Sequence, residues 1–308
     1  MEAARLSTVV LSWNRPALLR RTLLSYRAAT LSKARLMVVD NGSGQETMAL
    51  IESAKSSGLI DAAICLPGNE GGLALNHALP FLDGDYIHFS ENDVEYRVGW
   101  DARLLAKFAA FPRLGQLSPF GPVPEAGGGE VWVAHDSEPL CAGGQRIFVT
   151  RANVGMTCVI PRQVAEVGIR WRNIEAGRWR WPDDAAFSAR IQAQGRLVAW
   201  NDSYAATNWG HNVAEWNREL PYYLESYAAK PWVGIAGLEQ RLRQAGHEFV
   251  RTGDGTIVRI TQRPATGWSS AGSPMDRGSR NDCRPSGPSS RPRPDSLKPP
   301  NGTSGNGG

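Results

Sequence analysis

Residues Thr8–Ser43, TVVLSWNRPALLRRTLLSYRAATLSKARLMVVDNGS, read as a strand, a helix and a second strand. Thr8 to Trp13 is a run of β-branched and apolar residues suited to a buried strand. Asn14 can cap the helix that follows, and Pro16 sits in its first turn, where a missing N–H does little harm. Leu18, Leu19, Leu23 and Tyr26 fall near one face of that helix. Arg35 to Val39 is the second strand, and it ends in Asp40-Asn41-Gly42-Ser43, a tetrad of turn formers. Strands alternating with helical patterns are the mark of an α/β sheet built from crossover units.

Outward from this unit the pattern repeats. Ala62 to Leu66 is a third strand candidate, and Asp85 to Phe89 (DYIHF) is a fourth that runs into Ser90-Glu91-Asn92-Asp93. Acidic and polar residues thus gather at strand C-terminal ends, where open α/β sheets place their ligand crevices. Beyond Phe111 the segments are less regular, with strands expected over Gln116–Pro119, Val131–Ala134 and Arg146–Thr150. A helix is expected from Asp183 to Gln194, opened by Pro182 and stopped by Gly195, then a strand over Arg196–Trp200. Leu238 to Ala245 reads as a packing helix closed by Gly246.

After Ile260 the apolar periodicity stops, and Pro, Gly, Ser and Arg dominate. Such a composition buries too little apolar area to offset its ordering entropy, so the expected division is a folded body over 1–262 and a disordered tail over 263–308. The chain has 308 residues, 42% of them hydrophobic, enough for a sizeable core. Its net charge of +4 resides in that tail, where seven basic residues face three acidic ones. The body is formally neutral, which argues against a nucleic-acid-binding face on it. No run of eighteen apolar residues and no secretion-signal layout appears, so a cytoplasmic protein without a membrane span is expected. Cys65, Cys141, Cys158 and Cys283 are scattered singly and are expected as reduced thiols.

Five short motifs recur in a fixed order: Ser12-Trp13-Asn14-Arg15, Asp40-Asn41-Gly42-Ser43, the run from Asn69 through Gly71 and Gly72 to Asn76, Glu91-Asn92-Asp93-Val94, and Asp183-Asp184 with Arg190 downstream. Together they resemble the family 2 glycosyltransferases of the GT-A fold, over roughly the first 210 residues. The resemblance implies an α/β GT-A nucleotide-sugar-binding fold, a mostly parallel central sheet with helices on both faces. It also implies a nucleotide-sugar donor, with a UDP-sugar foremost, and a divalent cation, Mn²⁺ or Mg²⁺. Asp93 is the expected metal ligand, with Glu91 and His211 as further candidates. Asp40 would accept a hydrogen bond from the base, and Trp13, Asn14 and Arg15 would frame base and ribose. Asn41, Asn69, Gly71, Gly72, Asn76 and Asn92 complete the donor set. Asp184 would be the general base, with Asp183 in the place of the family's Glu.

The residues support these roles independently. A diphosphate leaving group needs its charge neutralised, and a cation held by carboxylate oxygens does so. An ionised carboxylate only accepts hydrogen bonds, which suits a base N–H. Neutral imidazole is a competent ligand for Mn²⁺. The Trp- and Arg-rich segment Trp171–Trp181 could wall an acceptor or a diphosphate, since aromatic faces stack on sugars and Arg forks bind phosphate. Competing readings are a non-catalytic nucleotide-sugar or carbohydrate-binding protein of the same fold, and a nucleotidyltransferase. Dinucleotide binding is disfavoured, because Trp13-Asn14-Arg15-Pro16 stands where a GxGxxG turn would be. The acceptor is left open by the sequence.

Overall fold

The computed structural model describes residues 4–124 and 135–263. In chain order the elements are β1 (Leu6–Ser12), α1 (Pro16–Ala29), β2 (Ala34–Asp40), α2 (Gln45–Ser56), β3 (Ala62–Cys65), β4 (Tyr86–Glu91), β5 (Val94–Tyr96), α3 (Trp100–Ala110) and β6 (Leu114–Ser118). These are followed by β7 (Glu138–Ala142), β8 (Gln145–Val149), β9 (Cys158–Pro161), α4 (Arg162–Glu166), β10 (Asn173–Ala176), β11 (Trp179–Pro182), α5 (Asp184–Ala193), β12 (Leu197–Asn201) and β13 (Ala206–Asn208). The last are α6 (Val213–Arg218), α7 (Leu220–Ala228), α8 (Gly234–Gln244), β14 (His247–Arg251) and β15 (Ile257–Gln262).

Among the described residues nine strands form one sheet, in the order β3-β2-β1-β4-β9-β6-β12-β8-β7. The pairs β1 with β2, β1 with β4, β2 with β3 and β12 with β6 are parallel. Only β9 and β8 run against the rest, so the sheet is mostly parallel, as expected. β1 is a continuous buried run because apolar layers cover both its faces. On one side lie α1, α2 and α3, which contribute Leu19, Leu23, Tyr26, Ile51, Trp100 and Leu104. On the other, two short 3₁₀ helices, Gly71–His77 and Leu79–Phe81, pack with α4 and α5 through Ala74, Leu75, Val164, Phe187 and Ile191. A third core, around Trp216, Leu220, Tyr223, Leu238, Leu242 and Phe249, joins α6, α7 and α8 to the β14–β15 hairpin.

Helix α1 begins at Pro16, whose fixed φ suits the first helical position. Asn14 does not cap it. The N-cap is Arg15, with no side-chain cap bond, and the Asn14 carboxamide instead accepts from the Gly44 N–H at 3.0 Å. The expected strands lie within about a residue or two of those found, whereas β9, inserted antiparallel between β4 and β6, has no counterpart in the sequence reading. The expected strand over Val131–Ala134 and nearly all of the proposed tail lie outside the described residues. Cys65 and Cys158 are free thiols, and Cys283 lies outside the described residues. Among the described residues no helix is long and apolar enough to cross a membrane.

Candidate active site

Strand β4 ends at Glu91, and a two-residue turn carries Asn92 and Asp93 into β5. β13 pairs antiparallel with β5, placing Asn208 opposite Val94. The Trp209 N–H donates to the Asp93 carbonyl at 2.8 Å, which draws Gly210 over the Asp93 side chain. A Cβ at position 210 would lie within the Asp93 carboxylate, with its Cγ only 2.9 Å away and Asn208 Oδ1 at 3.1 Å. Only glycine permits this approach. Asp93 Oδ1, Asn208 Oδ1 and Asp184 Oδ1 are buried acceptors with no hydrogen-bond partner among the described residues. Buried oxygens of this kind call for a ligand or an ion.

Asp93 Oδ2 is held by Arg15, whose Nη1 donates at 2.9 Å while its Nη2 donates to Asn92 Oδ1 at 2.7 Å. Asn92 Nδ2 donates in turn to the Asn14 carbonyl at 3.0 Å. These bonds restrain two consecutive non-glycine residues in the left-handed region, Asn14 at φ 54 and Arg15 at φ 55. Such strain persists where the surroundings over-determine it. Burial opposes the charge on Arg15, but Asp93 and the two neighbouring tyrosines, Tyr222 and Tyr223, more than offset it, so its pKa is raised and it stays cationic.

The other expected donor residues divide into those at the cleft and those that brace it. Trp13, Arg15, Asn41, Asn69, Gly71, Asn92 and Asp93 line an open cleft of roughly 830 Å³, with Glu91 and His211. Asn14, Asp40, Gly72 and Asn76 do not line it. Asp40 is fully buried, and its two oxygens accept from the Ser43 N–H at 2.8 Å and the Ser43 hydroxyl at 2.5 Å. Asn76 is clamped to the Trp171 backbone by two bonds, donating at 3.1 Å and accepting at 3.0 Å. Gly71 and Gly72 make close approaches, but chiefly to the β10–β11 hairpin: a Cβ on Gly72 would meet Pro182 Cα at 2.6 Å, and one on Gly71 would meet Arg180 Cβ at 2.7 Å.

The acidic pair separates into two roles. Asp183 is the N-cap of α5, its Oδ1 accepting from the Ala186 N–H at 2.9 Å, which places it as a structural cap. Asp184 keeps an enclosed, unpartnered oxygen. Burial, then the charge of Asp183, raises its pKa to about 7, near that of a general base working at neutral pH. Glu91 is likewise held well above the usual carboxylate range, by burial and then by Asp93 and Asp184, and it accepts from the Thr157 hydroxyl at 3.2 Å. His211 is lowered to about 3 by burial, with Lys230 and Arg15 adding repulsion, so its ring is neutral at physiological pH. Arg190 does not reach the pair. It donates to the Arg170 carbonyl.

Sequence reasoning missed the wall supplied by the third core. Tyr222, Tyr223, Ser226, Tyr227 and Lys230 line the cleft from α7 and the turn after it. Tyr223, Tyr227 and Lys230 stand four and three residues apart in ELPYYLESYAAKPW, a helical spacing that marks one face. Burial lowers Lys230 to about 8, and its ammonium sits 3.8 Å over the Tyr227 ring. Among the described residues no three His, Cys, Asp or Glu side chains converge to hold a metal on their own. The open Asp93 oxygen beside the Gly210 cradle fits a cation whose remaining ligands come from a bound molecule.

Residues 7–122 match the family model described as glycosyl transferase family 2. No curated protein matches the chain. Among solved structures, the chain is similar to GalNAc-T7 with UDP, GalNAc and Mn²⁺, at 17% identity and a TM-score of 0.51, covering 79% of this chain and 54% of that one. It is also similar to S. aureus TarS 1-349 in complex with UDP-GlcNAc, at 14% identity and a TM-score of 0.50, covering 79% and 72%. The mannosyltransferase PcManGT from Pyrobaculum calidifontis, in complex with GDP-Man and Mn²⁺, gives 16% identity, a TM-score of 0.49, and coverage of 77% and 66%. The chain thus spans about half of GalNAc-T7 and just under two thirds of PcManGT. The fold is GT-A, and the family 2 match over residues 7–122 takes in four of the five motifs, with Asp183-Asp184 beyond it.

Proposed function

From the family 2 segment as premise, we propose that the chain transfers a glycosyl group from a nucleotide-diphosphate sugar to an acceptor hydroxyl, by single displacement with inversion. The observation that supports it most directly is one strand-end cleft that gathers an open metal-ligand oxygen on Asp93, a fixed cation on Arg15, a neutral His211 and the ammonium of Lys230. Asp93 would hold the divalent cation with His211 near it, and that cation would neutralise charge on the departing diphosphate. Trp13 and Asn41 frame the donor side, with Asn69 and Gly71 at its edge. Arg15 and Lys230 add fixed positive charge where the leaving group develops negative charge.

Asp184 takes the proton from the acceptor hydroxyl, while Asp183 fixes the start of α5 beneath it. A UDP-sugar is the first donor to test, with Mn²⁺ and Mg²⁺ in parallel. Asp184→Asn keeps size but loses basicity, so transfer should fall by about 10² to 10⁴-fold with donor affinity retained. Asp183→Asn should be milder, because an amide oxygen still caps a helix. Near-wild-type transfer in both single variants and in the double variant would refute the assignment of the base.

A further inference from the structure

The aromatic residues continue past the donor cleft to the surface. Trp13 meets Trp179 edge-to-face at 5.4 Å between centroids, and Trp179 is stacked on Trp181 at 6.0 Å with 7° between planes. Trp181 meets Trp232 at 5.6 Å and 84°, so the last two rings form a corner. Trp179 is buried, but Trp232 is 49% exposed, and Trp181, at the cleft wall, is only partly covered. An indole left half in water beside a cleft forgoes much of the stabilisation its burial would bring, and rings of this kind mark binding surfaces.

The position of the corner identifies what it would receive. Trp181 and Pro182 end β11, and the chain passes directly through Asp183 into Asp184 at the start of α5. The corner therefore lies three residues along the chain from the proposed base, and Lys230 beside the Trp181 ring is near enough to act on the Asp184 charge; the same hairpin also borders the glycine loop, where Arg180 Nη1 donates to the Asn69 carbonyl at 3.3 Å. Lys230 lies 5.8 Å from the Trp181 ring, and Ser226 and Tyr227 line the same wall, so the apolar faces are bordered by hydrogen-bonding groups. A ligand matching this pattern carries a flat C–H face ringed by hydroxyls, as a pyranose does. A purely apolar acceptor would leave Lys230 and Asp184 without partners.

We propose that Trp181 and Trp232 form an acceptor subsite for a saccharide, with a pyranose stacked in the corner and a hydroxyl directed to Asp184. This rests on the transferase reading. At the surface beside it, the Arg178–Glu225 ion pair links the β10–β11 turn to α7.

The test is a titration of the full chain, with and without UDP and Mn²⁺, against methyl hexopyranosides, their N-acetyl derivatives and the matching β-linked disaccharides. Uridine, p-nitrophenol and dodecyl phosphate serve as non-sugar probes, and tryptophan fluorescence is the signal. At least one saccharide should bind, and Trp232→Ala should weaken it by about three- to tenfold, the size of one stacking contact. Trp181→Phe, which keeps a smaller ring, should weaken it less than Trp181→Ala. UDP affinity should stay unchanged in Trp232→Ala, because that ring does not line the cleft. No saccharide binding, equal binding in all variants, or binding confined to the non-sugar probes would overturn the subsite. Absence of UDP binding in the wild type would instead count against the donor assignment, and the saccharide titration without nucleotide would still judge the corner.

Discussion

Adding one methyl group at Gly210 isolates the contact that shapes the proposed metal position. The Cβ of Gly210→Ala would fall inside the Asp93 carboxylate, and Asp93 has little room to move, since its side chain is 7% exposed and paired with Arg15 at 2.9 Å. Overpacking of this kind costs about 1–3 kcal/mol. For a body of this size each kcal/mol lowers Tm by about 2–4 °C, so a fall of roughly 2–12 °C is expected. The cost should depend on the Asp93 side chain. In an Asp93→Ala background the clashing atoms are gone and only Asn208 Oδ1 remains close, so the same Gly210→Ala change should be nearly neutral. In an Asp93→Asn background, which keeps the shape, most of the cost should return. Thermal unfolding of the wild type, the three single variants and the two doubles gives the coupling energy directly. Mn²⁺-dependent stabilisation by UDP, read in the same melts, should be lost in Asp93→Ala, Asp93→Asn and Gly210→Ala alike. Additive Tm losses in the two Asp93 backgrounds, or an unchanged UDP–Mn²⁺ shift in Gly210→Ala, would refute the reasoning.

Three further outcomes are expected. Asp184 has a folded-state pKa near 7 against an ordinary 3.8, so the folded protein retains a proton that the unfolded chain has lost; its contribution to stability is greatest below about pH 4 and is lost as pH rises to 7. Urea unfolding from pH 4 to 8 should therefore show Asp184→Asn gaining on the wild type across that window, and parallel curves would contradict the placement. Asn92→Ala removes the brace on two left-handed residues and leaves Arg15 short of an acceptor, so it should cost about 1–3 kcal/mol in chemical denaturation and weaken donor binding; an unaltered midpoint would dismiss the brace. Removal of residues 264–308 should leave Tm and donor affinity almost unchanged, because β15 and the Arg263 N–H bond to Gly246 at 2.9 Å remain; insoluble or unfolded product would displace the boundary.

The parts of the fold that were legible in the sequence are those whose local pattern is strong. β1, α1 and β2 announce themselves because a both-faces-buried strand is a continuous apolar run and α1 repeats its apolar residues every three or four positions. α5 was placed to within a residue by Asp183 and Gly195. β9 was not legible: CVIP is four residues long, and nothing local says that it returns between β4 and β6. At the site, Asp93 and Asp184 were visible as acidic residues at element boundaries, yet their neighbours were not. Gly210 owes its identity to a carboxylate more than a hundred residues earlier, and Gly72 to the backbone of Pro182. Asn14 was misread as a cap because a side chain that can bond its own helix can also bond a distant loop, and here the Gly44 N–H is the closer offer.

The lining of the cleft falls into two parts along the chain. Leu11, Trp13, Arg15, Asn41, Asn69, Gly71 and the Glu91–Asp93 turn all fall within residues 7–122, whereas every other lining residue comes from Met156 onward. A gene fusion joined near Pro122 would therefore separate the two ends of the proposed reaction: nucleotide preference should travel with the first segment, and the choice of acceptor with the second. Recombination could retune one without rewriting the other, provided that Gly210 and Asp93, which face each other across the join, are inherited as a compatible pair.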